Sequence, residues 1–64
     1  MRPVRLDVIR KAENIKRLAV REFARLTGID EQQVIRKMEI RRAGTAFEWI
    51  EFEYEDSIFC YNYR

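Results

Sequence analysis

The chain has 64 residues, with 13 Lys/Arg against 11 Asp/Glu and a formal net charge of +2. That length leaves room for one domain, near the lower limit for folding on apolar packing alone. One cysteine, Cys60, excludes an internal disulfide, and one thiol in a chain with no histidine argues against a zinc site, so no metal and no cofactor are expected.

Met1-Arg2-Pro3 leads straight into charged, mixed sequence without a signal-peptide pattern. No apolar run approaches the roughly 20 residues a membrane span needs. A cytoplasmic location and no membrane partner are therefore expected. The small net charge hides a split. Residues 1–45 carry twelve Lys/Arg and six Asp/Glu, a balance of +6, whereas residues 46–64 carry Arg64 alone against five acids, a balance of −4. A basic front half suits a polyanion, and an acidic back half should avoid it.

Two glycines, Gly28 and Gly44, divide the chain into three parts. Residues 5–27 are helical by period: Val8, Ile9, Ala12 and Ile15 recur at three- and four-residue spacing, and the stripe continues as Ala19, Phe23 and Leu26. A break over Lys16, Arg17 and Leu18 is expected, leaving a separate supporting helix ahead of the second one. Leu26-Thr27-Gly28-Ile29 reads as a helix stop, with glycine where a left-handed residue commonly closes the last turn. Asp30 then starts the next helix as N-cap. Gln33 stands three residues on, as a capping box requires, and Ile29 with Val34 forms a hydrophobic staple.

After Gly44 the period changes to two. Residues 46–54 alternate and residues 58–63 favour strand, with Glu55-Asp56-Ser57 as the turn of a β-hairpin over 46–63. Pairing Tyr54 with Phe59, Phe52 with Tyr61 and Ile50 with Tyr63 gathers the aromatics on one face, which should cover the helices. The glutamates then share the other face. Phe47 and Trp49 fall outside that aromatic face and are candidates for a partner surface.

Residues 21–38 resemble the helix-turn-helix of bacterial and phage regulators and of small excisionase-like proteins. The resemblance is carried by Ala24, Gly28 four positions on and Val34 six further, with Phe23 and Ile29 apolar. It covers about a third of the chain. Ala24 is small where two helices cross, Gly28 takes the turn, and Phe23, Ile29 and Val34 fill the space between. Lys37 stands where the family usually has an apolar residue, and Met38 takes its place on the stripe.

The resemblance implies an α+β fold: two or three helices containing the helix-turn-helix, followed by a C-terminal antiparallel hairpin, a minimal winged form. It also implies a recognition helix over 31–42 lying in the major groove. Gln32, Gln33 and Arg36 would meet base edges, since Gln pairs with adenine and Arg with guanine. Arg21, Arg25, Lys37, Arg41 and Arg42 would meet phosphate. The expected partner is double-stranded DNA and the expected role transcription control, or excisionase-like bending of DNA, in a phage or mobile element. Dimerisation through the hairpin edge would add area and half-site pairing. The hairpin tip, Glu55 and Asp56, has no base and is not expected to read DNA.

A reading from another class is a protein-binding module that inhibits another regulator or polymerase through its acidic hairpin with Phe47 and Trp49. An enzyme is not expected. Without histidine there is no Ser/His or Cys/His pair, and Glu51, Glu53 and Glu55 read as solvated strand positions.

Overall fold

In the computed structural model, which describes residues 6–63, one uninterrupted helix α1 (Leu6–Thr27) runs through the segment where a break was expected. Residue 5, the expected helix start, lies outside the described residues. Nothing between 16 and 20 competes with helix, and the apolar stripe keeps its phase through the expected connector. Ile15, Ala19, Val20 and Phe23 are all buried. The stripe is shorter than its sequence period at both ends. Val8 and Ile9 are 40% exposed and Leu26 is 59% exposed, because the remaining elements cover only the middle of the helix.

At Thr27 the helix stops as its sequence predicts. Gly28 takes φ +80 and its N–H donates to the Ala24 carbonyl at 2.8 Å. The Thr27 hydroxyl donates to the Phe23 carbonyl at 2.8 Å and accepts from the Ile29 N–H at 3.3 Å. Asp30 caps α2 (Glu31–Lys37), its carboxylate accepting from the Gln32 N–H at 3.1 Å. The second half of the capping box is absent: the Gln33 amide points away and donates to the Tyr54 hydroxyl at 3.1 Å. Asp30→Ala is expected to cost about 0.5–2 kcal/mol in urea unfolding, and Asp30→Gly only a few tenths.

Helix α2 is seven residues long, not the twelve of the expected recognition helix. Met38 turns extended (φ −72, ψ 149) and leads into β1 (Glu39–Ala43). Strands β2 (Trp49–Tyr54) and β3 (Ser57–Asn62) follow, and the antiparallel sheet has the order β1-β2-β3. The expected two-stranded hairpin is thus a three-stranded sheet with β2 in its middle. An isolated hairpin is marginal in water, and a third strand gives β2 hydrogen-bond partners on both sides. Arg41 and Arg42 supply a second reason. Arg42 lies opposite Glu51, a bulge follows Ile40, and both arginines reach glutamates of β2.

The β2–β3 register lies two residues from the expected one: Ile50 pairs with Tyr61, Phe52 with Phe59 and Tyr54 with Ser57. Glu55 and Asp56 adopt positive φ (46 and 69), so the loop closes in two residues, the geometry that suits the twist of a hairpin. A two-residue shift preserves the faces. Ile50, Phe52 and Tyr54 turn inward and are buried; Glu51 and Glu53 turn outward. In the β1–β2 loop Gly44 is buried, and a Cβ there would stand 2.7 Å from the Trp49 indole nitrogen and closer still to the Glu48 carboxylate.

The core joins α1 (Ile15, Ala19, Val20, Phe23), α2 (Val34) and β2 (Ile50, Phe52, Tyr54). Phe23 is its hub. Its ring lies edge-on to Phe52 at 5.3 Å and to Phe59 at 5.2 Å, and tilted against Tyr54 at 5.3 Å.

Candidate nucleic-acid interface

Helix α2 is anchored to the core by Val34 alone, which is fully buried; its other six residues are exposed. Three constraints set its position. Gly28 reverses the chain, Asp30 starts the helix, and Gln33 ties it to Tyr54 at the end of β2. Ile29 is half-buried and packs against the core, as the staple predicts.

The eight residues assigned to DNA divide by their partners. Gln32 and Arg36, four positions apart and so on one face of α2, are exposed. No described carboxylate comes within ion-pair distance of Arg36 or of Arg21 on α1. Gln33, Arg36 and Lys37 line one open depression. Gln33, however, spends its amide on Tyr54, and Lys37 pairs with Glu55 at 3.1 Å. That hydrogen bond holds the Lys37 ammonium above its usual pKa. Arg25 makes a two-point contact with Glu22 one turn earlier, at 2.5 and 3.2 Å, which holds the Glu22 carboxyl below the usual carboxylate range.

Arg41 and Arg42 are not on α2 at all. They lie on β1, where Arg41 pairs with Glu53 and Arg42 with Glu51 at 2.8 Å, on the sheet face turned away from the core. The reason is the change of element at Met38: from there on, side chains follow a strand's alternation rather than a helix's. These cross-strand pairs are the feature missed from sequence alone. The signal was present as two adjacent arginines ahead of a strand that alternates glutamate with apolar residues.

No known protein family, curated protein or solved structure matches the chain. The site therefore rests on its own geometry. Arg21, Ala24, Arg25, Ile29, Asp30 and Glu31 line a second open depression at the α1–α2 junction. The candidate partner residues lie elsewhere. Phe47, with φ 55, is half-buried and packs against the core; Trp49 is half-buried beside Gly44. No described helix is long and apolar enough to cross a membrane, and no described group of three His, Cys, Asp or Glu is placed to hold a metal.

Proposed function

We propose that the chain binds double-stranded DNA by laying α2 in the major groove, as a small helix-turn-helix protein with the sheet in the place of a wing. One observation carries the reading. A glycine with positive φ and an aspartate cap present a helix held by one buried valine, with Gln32 and Arg36 turned to solvent on one edge. Gln32 pairs with adenine and Arg36 with guanine. Arg21 is the principal phosphate contact, with Arg25 beside it. Transcription control, or bending of DNA in recombination, belongs to the same proposal.

Ion pairing narrows the electrostatic footprint. Lys37, Arg41 and Arg42 already face glutamates of their own chain and Arg25 is paired with Glu22, which leaves Arg21 and Arg36 open. Each phosphate neutralised contributes about −0.9 to the slope of log K against log salt. Two open cations thus give a slope of about −2, where all six arginines and lysines assigned to the site would give about −5. Anisotropy of a labelled random duplex over a salt series checks this. A slope near −2 supports the reading, and undetectable or salt-independent binding removes it.

The protein-binding alternative loses ground on the same pairs. The glutamates that would form its acidic surface are neutralised within the chain, and Phe47 is engaged with the core.

A further inference from the structure

The two edges of the sheet differ. Edge β1 is bulged beyond Ile40 and carries Glu39, Arg41 and Arg42, the devices by which natural sheets discourage further pairing. Edge β3, Ser-Ile-Phe-Cys-Tyr-Asn, has no charge, no proline and no bulge, and pairs continuously with β2 over its six residues. Among the described residues no strand covers its outer side. Ile58 is 56% exposed and Tyr63, just beyond the strand, 58% exposed.

The backbone of β3 shows what would fit. The pair Tyr54–Ser57 closes a two-residue loop, and at the other end the Tyr63 N–H donates to the Glu48 carbonyl at 2.8 Å. Residues 57, 59, 61 and 63 therefore turn their N–H and C=O groups toward β2. Ile58, Cys60 and Asn62 turn theirs outward, evenly placed about Cys60. An antiparallel copy of the same strand, related by a two-fold axis through Cys60, matches this pattern. Cys60 faces Cys60, Ile58 faces Asn62, and Phe59 faces Tyr61, each inward residue meeting an inward one.

We infer that this chain forms a homodimer by antiparallel β3–β3 pairing centred on Cys60, giving a continuous six-stranded sheet. A second copy is the favoured occupant because self-pairing brings no like charges together along the strand. It also satisfies the outward backbone groups symmetrically, and extends the inner Phe59 and Tyr61 row with the partner's own. The inference goes beyond the DNA reading and does not depend on it.

Sedimentation of the full chain in reducing buffer, over a concentration series, tests it. Wild type and Cys60→Ser should both move from monomer to dimer. Ile58→Lys and, separately, Asn62→Lys place an ammonium in the pairing edge and should raise the dimer dissociation constant at least about tenfold, with an unchanged circular-dichroism melt at concentrations where the wild type is monomeric. In a hydrogen-bonded antiparallel pair the two Cα atoms stand about 5.5 Å apart, so a short bis-maleimide should join Cys60 to Cys60 in the wild type and not in the lysine variants. A chain that stays monomeric at every concentration overturns the inference. So does a dimer that survives both lysine variants without cross-linking at Cys60. If one lysine variant fails to fold, the other decides.

Discussion

Replacing Phe23 by alanine is expected to leave the chain largely unfolded where the wild type is folded. Phe23 is 7% exposed and its ring touches three aromatic rings of two strands, so it holds α1 to β2 and β3 together. Removing a buried phenylalanine costs about 3–5 kcal/mol through lost transfer energy and the cavity left behind. At about 0.05–0.15 kcal/mol per residue, a domain of this size has roughly 3–10 kcal/mol in total. One side chain is thus comparable to the whole margin. Urea unfolding followed by circular dichroism measures the loss. Leu26→Ala is the control: it lies on the same expected stripe but is 59% exposed, and should change stability by no more than about 0.5 kcal/mol. A Phe23→Ala loss below about 1 kcal/mol would show that the aromatic hub is not what joins helix to sheet.

The second large effect is expected at the exposed edge of α2. A well-formed bidentate contact to a base contributes about 1–3 kcal/mol of discrimination, so Arg36→Ala should weaken binding to a selected duplex about 10- to 100-fold. It should also erase the preference for guanine at one position, and Gln32→Ala the preference for adenine at a neighbouring one. Arg41→Ala and Arg42→Ala remove cross-strand partners of Glu53 and Glu51 and should leave DNA affinity nearly unchanged. Competition binding with single base-pair changes, alongside melting curves, separates these outcomes. If Arg41 and Arg42 prove necessary while Arg36 is dispensable, the contact surface is the outer face of the sheet and the α2 reading fails.

The contrast between Gln32 and Gln33 shows where residue-level assignment from the sequence stops. They are adjacent, of one type and at the start of one helix. Only Gln33 meets a hydroxyl 21 positions away, at Tyr54. Nothing in their local sequence separates them, because the separating atom belongs to another element. The arginines behave similarly. Arg36 and Arg41 stand five positions apart, in two basic pairs separated only by Met38-Glu39-Ile40, yet the first is on a helix edge and the second across a strand from Glu53.

What the amino-acid order determined alone are the features whose physics is complete within a few residues. The helix stop at Gly28 needs only a residue that tolerates positive φ. The cap at Asp30 needs one carboxylate and an N–H two positions on. The inward aromatic face needs only the alternation of β2 and β3, which survives a two-residue change of register. The continuity of α1 through residues 16–20 belongs with these, since no residue there competes with helix. The conversion of residues 39–43 from helix to strand and the choice between Gln32 and Gln33 were decided by tertiary structure. Each depends on a partner distant in the chain: the glutamates and open backbone groups of β2, and the Tyr54 hydroxyl. Local propensity is worth tenths of a kcal/mol per residue, and such long-range packing and pairing outweighs it.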